Sequence, residues 1–410
     1  ETSARLPAAL LAALAVPLLY LAGREAFQRE TPAVTAALVY LTLLPAVRHG
    51  RLAMTDGLIN TLLTGSVLCL LLGMRSRRWL AGVGVGLGLI ALTKGVLAIG
   101  FGVLLLGFVL TVHRADVFRS RWLLGGIVVG FAPVAAWYGL QIREYGSVFV
   151  QTNVIDQSLA RTLTVVEGHA RPAWYYAAEI AKLSVPWLLF AAAGFIHALR
   201  SHRQTWELLV LAAGGGFFLV ISLMPTKLPW YVLPCYVFFA LAAGWSLGAW
   251  WEGRPRAGRA LAWGLGVSAS AGAIGLWYLR TTAEHQPPTA AAVAWVLTCA
   301  AGAVFAWRRS RLLVPALASG LYIALLLLFG TPSWNWEVNE AFDVRPVAKL
   351  VRQFVPHDSP VRMSFPYRRP SLDFYAGRPV LLAEDDPGGG AAWPGYLLVG
   401  RTDSRPMPSR

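Results

Sequence analysis

Apolar and polar positions along this chain fall into twelve long apolar runs separated by short polar gaps. The runs are 6–23, 32–47, 57–73, 79–92, 96–112, 122–140, 173–199, 206–223, 230–250, 261–279, 289–307 and 312–330. Most are long enough, as helices, to cross about 30 Å of hydrocarbon. The run at 79–92 is short and Gly-rich. The run at 173–199 is long enough to begin as a helix lying along the membrane surface. The pattern predicts an all-α polytopic bundle of about twelve spans. After Gly330 it changes, and Pro, Gly and charge return in the amounts usual for soluble domains. There, 344–355 reads as an amphipathic helix with Pro346 near its first turn. Segments 361–365, 380–383 and 396–400 read as short strands. The expected organisation is a transmembrane domain over 1–330 and a small α/β domain over 331–410.

Composition agrees: 56% of residues are hydrophobic and 14% charged, which excludes an ordinary soluble protein of 410 residues. The net charge of +15 would suit a nucleic-acid binder. The arginines cluster at the ends of apolar runs, however, so a membrane surface accounts for them and no nucleic-acid partner is expected. Counting gaps alternately, one set carries 16 basic residues, among them Arg75, Arg77, Arg78, Arg308, Arg309 and Arg311; the other carries 9. The richer set is assigned to the cytoplasm. Asp56, Lys94, the long gap 141–172, Lys227 and the tail after Gly330 then all fall on the outer side. Cys69, Cys235 and Cys299 each lie inside an apolar run with no metal spacing and read as small buried hydrophobes. The sequence opens at Glu1 without methionine, beside an apolar run and with no signal peptide, so leading elements upstream are expected.

The outer side holds the candidate chemistry. Of four lysines, Lys94 and Lys227 sit in very short gaps between apolar runs, where an ammonium is costly unless water or an anion meets it. Lys227 precedes Pro229, Trp230 and Tyr231, and an ammonium and a phenol one helical turn apart can grip one anion. A snorkelling lysine among belt aromatics is the plainer alternative. Asp56 opens the 57–73 run, either as a helix N-cap or as a carboxylate that orients a hydroxyl or amine nucleophile. The gap 141–172 carries Arg161, His169 and Arg171, followed by Trp174, Tyr175 and Tyr176. Arginine forks suit phosphate oxygens, and aromatic faces suit a sugar or acyl chains. The loop Asp385-Asp386-Pro387-Gly388 reads as a turn rather than a metal site. No zinc spacing or nucleotide-binding loop is present in the sequence, so no metal or cofactor is expected. Gly82, Gly84, Gly86 and Gly88 alternate inside a span and read as a close-packing helix face.

The ordered phrases Ala4-Arg5-Leu6-Pro7, Met54-Thr55-Asp56, Leu92-Thr93-Lys94-Gly95, Gln157 to Arg161, His169-Ala170-Arg171-Pro172-Ala173-Trp174-Tyr175-Tyr176, Pro186-Trp187 and Lys227-Leu228-Pro229-Trp230-Tyr231 resemble the aminoarabinose lipid A transferases and the wider protein mannosyltransferase-like group of membrane glycosyltransferases. The likeness extends into the tail from Arg345 to Gly400. It implies a GT-C type helix bundle that moves a sugar from a polyprenyl-phosphate donor to a lipid A, glycan or protein acceptor. The active site would lie at the outer face of a bacterial inner membrane, with membrane lipid as a further partner. The family's main catalytic carboxylate would precede Glu1, and Asp56 matches only its second acidic position, so this stretch alone is expected to be inactive. Arg161, Arg171, Lys227 and Tyr231 would bind the donor phosphate, with His169 and Lys94 as further candidates. Two other classes fit the composition. A flippase for lipid-linked saccharides predicts mid-span charges, of which only Lys182 is a candidate; a scaffold with an outer sensing domain needs no charged set on one face.

Overall fold

The computed structural model describes residues 2–160, 164, 170–253, 258–282, 288–331, 333–334, 344–364, 369–382 and 396–398. The chain divides into two compact units, Glu1–Pro332 and Ser333–Arg410.

The first unit is predominantly helical in its described residues, and each of the twelve apolar runs appears as helix. Six helices are long and apolar enough to cross a bilayer unaided: Thr2–Phe27, Asp56–Gly73, Arg121–Tyr145, Thr205–Leu223, Gly258–Thr282 and Thr289–Trp307. The pair Glu30–Leu41 and Leu44–Arg51 makes a seventh, bent by 56°. Gly95–Thr111, Trp187–Ser201, Cys235–Trp251 and Leu313–Phe329 are shorter apolar helices. The first unit is therefore an all-α, polytopic membrane domain.

Local sequence explains the breaks. The 173–199 run splits into Tyr175–Leu183 and Trp187–Ser201 because Pro186 has no N–H with which to continue the first helix. Lys182 lies on the shorter piece with its side chain exposed, paired to Glu179 at 3.0 Å, so it is a surface lysine and not a mid-span charge. At the 30–51 bend, Thr42 returns its hydroxyl to the Leu38 carbonyl at 2.7 Å and accepts the Trp187 indole N–H at 3.0 Å.

Small residues set the packing around the helix that ends at Lys94. Leu80–Thr93 lies between Asp56–Gly73 and Arg121–Tyr145, with extensive contact to both. Its glycines serve two faces. A Cβ at Gly84 or Gly88 would collide with the backbone of Gly126, Ile127 or Gly130, whereas one at Gly82 or Gly86 would meet Cys69 or Ser66 of the other neighbour. The four glycines thus let one helix be gripped from both sides, which fixes where its C-terminal end points.

The second unit holds a three-stranded parallel sheet, order β2-β1-β3, with β1 Val361–Met363, β2 Val380–Leu382 and β3 Tyr396–Leu398. Helices Val344–Phe354 and Pro370–Ala376 pack with it around Val344, Ala348, Val351, Val361, Met363, Leu372 and Val380. The strands start where the alternating pattern placed them. The Asp385–Gly390 loop lies outside the described residues.

Candidate active site

Asp56 is the first residue of the Asp56–Gly73 helix, with Thr55 at the cap position making no side-chain cap bond. Asp56 is thus not an N-cap. Its carboxylate is buried and accepts a hydrogen bond from the Lys94 ammonium at 2.8 Å. Lys94 stands between Leu80–Thr93 and Gly95–Thr111 with φ −147° and ψ 85°, which breaks the helix and swings the side chain toward Asp56. Gly95 follows because Tyr138 leaves no room: a Cβ there would lie 2.9 Å from the Tyr138 hydroxyl oxygen.

One helical turn beyond Asp56, on the same face, Asn60 is buried. Its amide donates to the Tyr40 hydroxyl at 3.2 Å and the Leu233 carbonyl at 3.3 Å. The Leu233 carbonyl can only accept, which fixes the orientation of the amide. Asn60 was not singled out from the sequence. The signal was there: a polar amide four residues after a carboxylate, inside an otherwise apolar run.

These side chains open on a cavity of about 360 Å³. Asp56, Asn60 and Lys94 line it together with two aromatic pairs, Trp137 with Tyr138 and Trp230 with Tyr231, and with Asn153 and Ser158 from the Val150–Ala160 turn. Tyr138 is braced edge-on by Phe149 at 5.5 Å. A carboxylate, an ammonium and aromatic faces in one enclosure suit a sugar that carries polar and apolar faces.

Lys227 is not among the residues that line this cavity. It is buried, and its ammonium donates to the Met224 carbonyl. Met224 and Leu228 line the cavity on either side of it. Among the described residues, no carboxylate pairs with Lys227. The Lys227 segment is tied down on three sides: Thr226 pairs with Ala170 in an antiparallel bridge, the Thr226 hydroxyl donates to the Thr164 carbonyl at 2.7 Å, and the Tyr176 hydroxyl donates to the Leu228 carbonyl at 3.2 Å. The far end of the long gap 141–172 is thereby stitched to the chain beside Lys227.

The site differs from the sequence expectation in three respects. Lys227 and Tyr231 do not share a helical turn, because Leu228 is extended (φ −115°, ψ 143°) and the helical turn begins only at Pro229. The residue before proline is pushed out of the helical region. Lys94, expected among the phosphate ligands, pairs with Asp56. Arg171 is exposed and donates to the neighbouring Ala170 carbonyl at 3.4 Å; it does not line the cavity. Arg161 and His169 lie outside the described residues. Among the described residues no cluster of three His, Cys, Asp or Glu side chains has metal-binding geometry.

Comparison with known proteins gives a consistent picture. Residues 1–138 match the family model described as dolichyl-phosphate-mannose-protein mannosyltransferase. An undecaprenyl phosphate-alpha-4-amino-4-deoxy-L-arabinose arabinosyl transferase of Pseudomonas fluorescens Pf-5 is 28% identical over 255 residues, covering 59% of this chain and 45% of the relative. The corresponding protein of Yersinia enterocolitica is 26% identical, over 54% of this chain and 41% of the relative. The chain spans less than half the length of these relatives. The crystal structure of ArnT from Cupriavidus metallidurans bound to undecaprenyl phosphate superposes with a TM-score of 0.75 at 18% identity, covering 94% of this chain and 73% of that one. Its apo form gives the same TM-score over 92% and 71%. The family match over residues 1–138, the sequence likeness over 59% of the chain and the shared fold make the chain similar to the aminoarabinose transferases and protein mannosyltransferase-like membrane proteins.

Proposed function

We propose that this chain forms part of a membrane glycosyltransferase that moves a sugar from a polyprenyl-phosphate donor to an acceptor at the outer face of a bacterial inner membrane. The relatives' names favour undecaprenyl phosphate-aminoarabinose as donor, and lipid A is our first choice of acceptor over a glycan or protein. The observation that carries this reading is the Asp56–Lys94 pair under aromatic walls, in a cavity also lined by Met224 and Leu228, which flank the buried Lys227 in the sequence.

In the transfer, the acceptor oxygen forms the new bond to the anomeric carbon as the bond from that carbon to the phosphate oxygen breaks. The polyprenyl phosphate leaves with the electron pair, and the acceptor's proton passes to a base. A buried lysine facing one carbonyl is suited to hold the departing phosphate, since charge that grows on the leaving group is met without reorganising solvent. Asp56, paired with Lys94 at 2.8 Å, positions the sugar or acceptor by accepting a hydrogen bond. We assign Tyr231 to the donor, with Arg161, Arg171 and His169 as further phosphate ligands supplied by the outer gap. The domain over 331–410 we place on the same outer side.

The test is Lys227→Ala in the full-length, membrane-reconstituted protein, titrated with undecaprenyl-phosphate-linked sugar. A charge-assisted hydrogen bond contributes about 1.5–3 kcal/mol, so donor affinity is expected to fall by roughly 10–100-fold. Lys227→Arg is expected to recover part of it. Donor affinity and turnover equal to wild type would remove Lys227 from the site.

A further inference from the structure

The helix Val344–Phe354 presents three faces, and only one is used by its own unit. Val344, Ala348 and Val351 are buried against the parallel sheet. Leu350 and Phe354, four residues apart and therefore on one face, are 51% and 63% exposed. Arg345, Lys349 and Arg352 follow the spacing of a single basic row on the opposite flank, all exposed. Arg345 also lies over the Tyr375 ring at 5.3 Å, which ties the basic row to the neighbouring helix Pro370–Ala376. That helix adds a further large exposed apolar side chain, Phe374 at 58%. A small soluble domain has no internal reason to leave two phenylalanines and a leucine in water beside a row of cations.

We infer that this surface docks on the bilayer, with Leu350 and Phe354 entering the acyl boundary and Lys349 and Arg352 resting on anionic lipid headgroups. An apolar pair on one side of a helix and basic residues on the other is the pattern of a helix lying in a membrane interface. The occupant is set by two further facts. The charge is positive, which complements anionic lipid. The helix also begins fourteen residues (330–343) after the apolar helix Leu313–Phe329 ends, a tether that spans at most about 50 Å when fully extended. The bilayer is therefore the surface always within reach. Docking of this kind would restrict the mobility of the small unit and depend on the lipid composition of the outer leaflet.

The test uses the whole chain in nanodiscs, with Cys69, Cys235 and Cys299 replaced by Ala and an environment-sensitive fluorophore attached at Phe354→Cys. In discs containing phosphatidylglycerol the emission is expected to shift to shorter wavelength and to be quenched by nitroxides on shallow acyl carbons. Lys349→Gln and Arg352→Gln are each expected to lower the docked-to-free ratio about fivefold. Salt at 1 M, which shortens the screening length from about 10 Å to about 3 Å, is expected to do the same. A water-like emission in anionic discs would overturn the inference. So would a blue-shifted emission that lipid nitroxides fail to quench, since the surface would then be covered by protein. The same labelling at Gln353→Cys checks that a result at Phe354 does not come from a disrupted helix: Gln353 is exposed and an intact helix leaves its label more solvated than that at Phe354.

Discussion

Lys94→Met is expected to lower sugar transfer by about 10²–10³-fold, the scale on which one preorganised polar partner at a reacting centre acts. The structural reason is the pairing of Lys94 with Asp56 at 2.8 Å. Asp56 is 9% exposed at its side chain and Lys94 31%, so the two replacements differ in kind. Removing the lysine leaves a buried carboxylate without its cation, at a cost of about 1–3 kcal/mol. Asp56→Asn leaves an ammonium that water can still reach, and is expected to cost much less stability. The double variant Asp56→Asn with Lys94→Met is expected to regain the stability lost by Lys94→Met, because the orphaned charge is gone, and to stay as inactive as the single variant. Thermal unfolding in detergent together with transfer assays checks both halves. Full transfer activity in Lys94→Met would show that the pair is scaffolding remote from the chemistry.

Much of this arrangement was legible in the sequence, and the missing part has a physical explanation. The apolar runs located the helices because length and hydrophobicity suffice for that. They did not show that six helices among the described residues are long enough to cross alone, nor the 56° bend near Thr42, where Thr42 meets the Trp187 indole, more than 100 residues away. Asp56, Lys94 and Tyr231 were each visible as polar exceptions beside apolar runs. Their assembly was not, since Asp56 and Lys94 are on different helices and periodicity carries no information about which helices are neighbours. Leu228 precedes Pro229, and that alone argues for an extended residue between Lys227 and Tyr231. Asn60 was overlooked because a single amide in an apolar run resembles ordinary helix-to-helix hydrogen bonding, which is also what its donors do.

The glycine face was read as close packing, and it carries the second large effect. Gly88→Ala is expected to destabilise the bundle by more than about 3 kcal/mol, beyond the usual range for an overpacked core. The added methyl would meet the carbonyl carbon, oxygen and Cα of Gly130. A flexible side chain could turn aside, but a helix backbone can only move as a body. The shift would be carried down Leu80–Thr93 to Lys94 at its end, so donor-dependent activity is expected to fall in whatever fraction still folds. Gly107→Ala, on the Gly95–Thr111 helix, provides the opposite sign. Nothing lies within 4 Å of a Cβ there, and replacing a helical glycine by alanine is worth up to about 1 kcal/mol in favour of the fold. Monodisperse yield and melting temperature in detergent should therefore drop sharply for Gly88→Ala and hold or rise for Gly107→Ala. If the two variants behaved alike, Gly88 and Gly130 would not be in contact, and the geometry that delivers Lys94 to Asp56 would need another cause.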